Sequence, residues 1–161
     1  MMFPPIDART LQGADKQLPA DLPAVRTLVV LAFQQRHQAN VDAWIDRATA
    51  AGLATDLTQP GESVPATAVI EVPCISRRWG PVRRFIDGGM TAGIRVPTVL
   101  ARTWTAYTDV GRVQAALGIP NSDLAWAGVV GRDGDVLARA LGDVGDGNWA
   151  VIAQALGRAQ E

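Results

Sequence analysis

Thr27-Leu28-Val29-Val30-Leu31-Ala32-Phe33 is a continuous apolar run of strand length, and it breaks abruptly into the polar segment Gln34-Gln35-Arg36-His37-Gln38-Ala39-Asn40. A short run with no polar alternation is what a strand covered on both faces requires, so these residues predict the central strand of a sheet. Asn40 is suited to cap a helix in which Val41, Trp44, Ile45 and Ala48 recur at helical spacing, with Gly52 to end it. Strand, polar loop and amphipathic helix form the nucleus from which the remaining chain is read.

Downstream, Thr55 to Pro65 holds two prolines and Gly61 and reads as a loop, and Thr67 to Val72 reads as a second strand closed by Pro73. Pro81 suits the first turn of a short helix with Val82, Phe85 and Ile86 on one face, stopped by Gly88 and Gly89. Thr103 to Thr108 alternates as a strand, and Asp109 can cap a helix carrying Val110, Val113 and Leu117 up to Gly118. Leu124 to Val130 and Val136 to Leu141 flank Gly131-Arg132-Asp133-Gly134-Asp135, a hairpin signal, and Asp146 or Asn148 can cap a closing helix with Trp149, Ile152, Ala153 and Leu156 on its buried side. Upstream, residues 1–24 are rich in turn formers, with a short alternation over Ile6 to Leu11 that predicts a small N-terminal hairpin extension.

The 161 residues fit one domain spanning 1–161, and a composition 48% hydrophobic and 19% charged belongs to a protein that buries a core. A formal charge of -1 provides no field to recruit nucleic acid or an anionic membrane. Lys16 is the only lysine, and the arginine excess reads as the codon bias of a GC-rich bacterial host. Cys74 is the only cysteine, so no intrachain disulfide and no cysteine-based zinc cluster can form. Met1 to Pro5 does not read as an export signal, and Val25 to Phe33 is too short to span a bilayer, so a cytoplasmic setting without membrane insertion is expected.

The order of elements, with Phe3-Pro4-Pro5 and Leu11-Gln12-Gly13 ahead of the first core strand, resembles the thioredoxin-like superfamily in its peroxiredoxin-type form. Gly131-Arg132-Asp133-Gly134 and Val136-Leu137-Ala138-Arg139 resemble that family's terminal hairpin, so the likeness covers nearly the whole chain. Leu28 to Trp44 is most similar to thioredoxin-like proteins related to mitochondrial ATP-synthase assembly factors. The resemblance implies an α/β three-layer sandwich: a mixed central sheet with helices on both faces. Redox-active members place a cysteine between the first core strand and its helix, where the helix N-terminus stabilises a thiolate. Here that loop holds no thiol, and Asp123-Leu124-Ala125-Trp126, where such proteins commonly hold a cis proline, has none. A non-catalytic domain follows, without a cofactor, binding a protein partner or small anion as an assembly or chaperone-like factor. The competing reading is a single-thiol oxidoreductase or peroxidase using Cys74.

Arg36 and His37 occupy the loop where the family's chemistry would sit, and with a helix N-terminus they could hold an anion. A lone histidine in a polar loop is also commonly just hydrogen-bonded, and it cannot anchor a histidine-rich metal site. Cys74 lies near Arg77, Arg78, Arg83 and Arg84, which could lower its pKa, yet a lone cysteine beside strand residues is more often a small buried hydrophobe. Arg77, Arg78, Arg83 and Arg84 could grip a phosphate, carboxylate or acidic partner with Trp79 stacking on a guanidinium, or Arg83 and Arg84 could pair with Asp87 on a solvated face. Gly88-Gly89-Met90-Thr91-Ala92-Gly93 lacks the lysine of a phosphate loop and follows a helix, so it reads as a helix stop. Trp44, Trp79, Trp104, Trp126 and Trp149 are expected in the core, whereas tryptophans exposed together would mark an interface such as a homodimer.

Overall fold

The structure, a computed structural model, describes residues 1–55, 65–76 and 97–157. Its strands are β1 (Ile6–Thr10), β2 (Asp15–Leu18), β3 (Arg26–Ala32), β4 (Thr67–Ser76), β5 (Trp104–Thr108), β6 (Trp126–Gly131) and β7 (Val136–Leu141). Its helices are α1 (Gln38–Ala50), α2 (Pro97–Arg102), α3 (Val110–Leu117) and α4 (Asp146–Ala155), with a 3-10 turn over Gln35–His37. The seven strands form one mixed sheet in the order β2-β1-β5-β4-β3-β6-β7. β3, β4 and β5 run parallel, while β1 and β2 on one side and β6 and β7 on the other are antiparallel to their neighbours. The N-terminal hairpin is thus part of the central sheet, joined to it where Ala8 pairs with Ala106.

The unbroken apolar run of β3 is explained by what covers its two faces. Leu28 and Val30 point toward Val41, Trp44, Ile45 and Ala48 of α1 and Trp149, Ile152 and Ala153 of α4. Val29 and Leu31 point the other way, into a cluster with Phe3, Leu18, Ile70, Trp104, Val113, Leu117 and Trp126. Side chains alternate across a strand, so each face of the run feeds a separate core, and the result is three layers. Trp44 illustrates the fit: it is fully buried, and its indole N–H donates to the Gly142 carbonyl at 2.9 Å. Trp104, Trp126 and Trp149 are buried as well, while Trp79 lies outside the described residues.

Asp109 caps α3 as read, its carboxylate accepting from Arg112 N–H at 3.2 Å, and Gly118 closes the helix at φ 68°. Gly131–Asp135 makes the expected turn between β6 and β7, with Gly134 at φ 90°. Three boundaries differ from the sequence reading. β4 does not stop at Pro73 but continues to Ser76. Pairing with β3 ends at Ala32↔Pro73 and continuous pairing with β5 starts at Cys74↔Ala106, so the proline occupies the handover between neighbours, where its missing N–H matters least. α1 begins at Gln38, because the 3-10 turn has already wound the chain, and Asn40 donates to Asp143 from within the helix instead of capping it. α4 is entered through Gly145, and the Asn148 amide donates to the carbonyls of Leu141 and Asp143. The short helix α2 has no counterpart in the sequence reading. The helix read over Val82 to Ile86, the glycine-rich stop after it and most of the Thr55 to Pro65 loop lie outside the described residues.

Candidate functional site

Leu31 of β3 pairs with Trp126 of β6, so the loop leaving β3 and the loop entering β6 meet at one end of the sheet. Phe33 half-buries against the core, Gln34 is extended, and the chain then turns through Gln35–His37 into α1. Opposite lies Asn121 to Ala125, where the Asn121 side chain accepts from Asp123 N–H at 2.9 Å and Gln114 of α3 donates to the Ser122 hydroxyl at 2.8 Å.

The two loops are tied together by side chains of the first and carbonyls of the second. Gln34 donates to the Ser122 carbonyl at 2.6 Å, and the Arg36 guanidinium donates to the Asp123 carbonyl at 2.8 Å and to the Gln34 side chain at 2.9 Å. His37 is 1% exposed and stands edge-on to Phe33. Its Nδ1 accepts the Phe33 N–H at 3.1 Å, and its Nε2 lies 3.0 Å from the Asp123 carbonyl. A backbone N–H facing Nδ1 leaves the proton on Nε2, which then donates to Asp123. Both ring nitrogens are therefore engaged within the protein, and Arg36, exposed at the surface, converges with His37 on a single carbonyl oxygen. The crevice loop contains no nucleophile, and its polar side chains serve as a clamp.

Cys74 occupies β4 on the sheet face opposite α1, among Val72, Ala106, Val113 and other apolar side chains. It is 6% exposed, its Sγ–H donates weakly to the Val72 carbonyl at 3.6 Å, and burial pushes its pKa up to about 12. A thiol held protonated in this way is a poor nucleophile and a poor metal ligand. Trp79, Arg83 and Arg84, singled out above as ligand contacts, and the basic segment around them lie outside the described residues, as does the remainder of Arg77 to Arg84. Among the described residues, no group of three His, Cys, Asp or Glu side chains is placed to hold a metal ion, and no helix is long and apolar enough to cross a membrane. The cis peptide among them is Leu18–Pro19; Pro120, before β6, is not cis.

One buried titratable group escaped the sequence reading. Glu71, in β4, is 5% exposed, and burial raises its pKa above the ordinary carboxylate value, against the Thr103 hydroxyl bond at 3.0 Å and the Arg102 charge, which lower it. The nearby Asp42 charge adds to the rise. A carboxylate inside Val69-Ile70-Glu71-Val72 was itself the available signal, because a strand covered on both faces has no solvent to offer it.

No family model matches the chain, and no curated protein matches it in sequence. Solved structures match it in shape. The exposed lipoprotein thioredoxin Etrx1 of Streptococcus pneumoniae strain TIGR4 superposes with a TM-score of 0.58 at 11% identity, covering 96% of this chain and 98% of its own. BsSco, a member of the Sco family of cytochrome c oxidase assembly proteins, gives 0.56 at 11% identity, over 97% of this chain and 92% of its own. A thiol-disulfide oxidoreductase from Bacteroides fragilis NCTC 9343 gives 0.52 at 11% identity, over 86% and 89%. Likeness at such identities concerns architecture alone, and with the mixed sheet and its two helical layers already described, it establishes that this chain has the thioredoxin-like fold.

Proposed function

We propose that this chain is a redox-inactive thioredoxin-like domain that acts by binding, holding a protein partner or a small anion in the manner of an assembly or chaperone-like factor. The observation that carries the reading is the clamp at the end of β3. Gln34, Arg36 and His37 stand where redox-active relatives carry a thiol, and all three donate to the facing Ser122 and Asp123 carbonyls. Chemistry at that crevice needs a nucleophile that can be reached and ionised. The clamp offers none, and the remaining thiol, Cys74, is buried with its pKa near 12. The assembly-factor part of the proposal rests on the likeness of Leu28 to Trp44 to ATP-synthase assembly relatives, and a reducing, cytoplasmic setting rests on the single cysteine.

The test is turnover. Purified protein, assayed for insulin-disulfide reduction and for hydroperoxide consumption beside an active thioredoxin, is expected to give the buffer rate in both, and Cys74→Ser is expected to match it. A rate comparable to the active control that disappears in Cys74→Ser would replace this reading with that of a single-thiol enzyme.

A further inference from the structure

The sheet has two open edges, and their sequences differ in kind. β2 is four residues long and carries Asp15 and Lys16, the short charged form of edge that discourages pairing with another chain. β7 is six residues long, and its one charge, Arg139, stands between Leu137 and Leu141, which are 43% and 38% exposed; one nitrogen of its guanidinium donates to the Leu117 carbonyl at 2.8 Å, and the side chain stays exposed.

Ladder geometry tells which main-chain groups β7 offers. Gly142 N–H donates to the Ala125 carbonyl at 2.8 Å, and the register continues through Leu141↔Trp126, Ala140↔Ala127, Arg139↔Gly128 and Ala138↔Val129. Bonded and non-bonded pairs alternate along an antiparallel ladder, so Ala140 and Ala138 bond to β6 while the N–H and C=O of Arg139 turn to the open side. The row is closed at both ends: the Met1 carbonyl takes Val136 N–H at 2.9 Å, and the Asn148 amide donates to the Leu141 carbonyl at 3.3 Å. Beside this short open stretch lies a cavity of about 410 Å³ lined by Leu117, Gly118, Trp126, Arg139 and Leu141 among others. Leu124, 48% exposed, lies against the neighbouring Gly142.

We propose that the open edge of β7 takes an extended segment of another protein whose alternate side chains read apolar, acidic, apolar, with a carboxylate opposite Arg139 and apolar groups opposite Leu137 and Leu141. Main-chain bonds to Arg139 supply the strand pairing, and the charge and the two leucines choose the sequence. A second copy of this chain is the poorer occupant. The two-fold antiparallel register centred on Arg139, whose main chain is the open one, sets Arg139 against Arg139, like charges directly opposed, and the Met1–Phe3 segment already lies across Gly134 to Val136. This inference deepens the reading of the chain as a binding domain and rests on it.

The probe is a capped heptapeptide of sequence TLTETLT, titrated into the full chain and followed by backbone amide shifts and hydrogen exchange. Saturable binding is expected, with slowed exchange at the Arg139 and Leu141 amides. Replacing the peptide's glutamate by lysine should weaken binding by about tenfold, and Arg139→Glu should reverse that preference. The lysine peptide needs no protein variant, so the charge test stands even where Arg139→Glu folds poorly. No saturable binding at millimolar peptide, or binding indifferent to the charge swap, would overturn the proposal, and either can occur with the redox assay still blank. A dimer in sedimentation, with the Arg139 amide protected before peptide is added, would overturn it in favour of a second copy.

Discussion

Glu71 places a carboxyl group in β4 where water hardly reaches, and its surroundings favour the protonated form. The Thr103 hydroxyl has one proton and two acceptors within reach, Glu71 at 3.0 Å and the Val99 carbonyl at 2.7 Å. Shared between two acceptors, that hydroxyl offsets little of the cost of a buried charge, which a protonated Glu71 avoids. A folded-state pKa raised above the unfolded value of 4.5 makes this contribution to stability complete below that value and removes it as pH climbs through the folded pKa. Glu71→Gln keeps the shape and cannot ionise, so its stability relative to the parent should rise between pH 4 and pH 8 in urea unfolding. A difference that stays constant with pH would refute the assignment. The charged letter was visible inside an apolar strand, whereas its partner Thr103 stands 32 positions away. His37 shows the same limit: its position in the crevice loop was legible, but its role depends on the Asp123 carbonyl 86 residues downstream, and no local pattern encodes that contact.

At the scale of elements, what could be read was whatever local periodicity and turn chemistry determine. β3, the apolar side of α1, the Asp109 cap and the β6–β7 turn all follow from spacing within a few residues. The continuation of β4 past Pro73 was not legible, since a proline is tolerated there only because the strand changes neighbours at that point. Gly128 is another residue whose meaning is supplied by packing. It lies two residues along β6 from Trp126, and a Cβ built on it would stand 2.2 Å from Cη2 of that buried ring. The indole cannot yield easily, because Phe3 packs on it with ring centroids 6.1 Å apart. Gly128→Ala should therefore cost about 1–3 kcal/mol as an overpacked core does, with an altered tryptophan emission spectrum. An unfolding midpoint equal to the parent's would show that the ring does not rest on the glycine.

For the whole molecule, the order of elements was legible but the order of strands in space was not. Nothing near Ile6 or Trp104 states that β1 lies against β5, a pairing nearly 100 residues apart in the chain that carries the N-terminal hairpin into the sheet. That arrangement matters for the lone thiol. Cys74 pairs with Ala106, which pairs in turn with Ala8, so the strand bearing it is enclosed by β5 and β1 on one side and covered by the core cluster of Phe3, Leu18 and Val113. Exposing Sγ thus requires opening an interior part of the sheet, and such openings approach the free energy of global unfolding. With domain stabilities of about 5–15 kcal/mol, modification by a disulfide reagent at pH 8 should be slower than in the urea-unfolded chain by at least about a thousandfold. Its dependence on urea should parallel that of global unfolding measured by tryptophan fluorescence. The folded thiol's pKa near 12 acts in the same sense, because almost no thiolate exists at pH 8 until the chain opens. Rapid labelling under native conditions, flat with urea, would mean that the end of β4 opens alone, and Cys74 would then be restored as a reactive group.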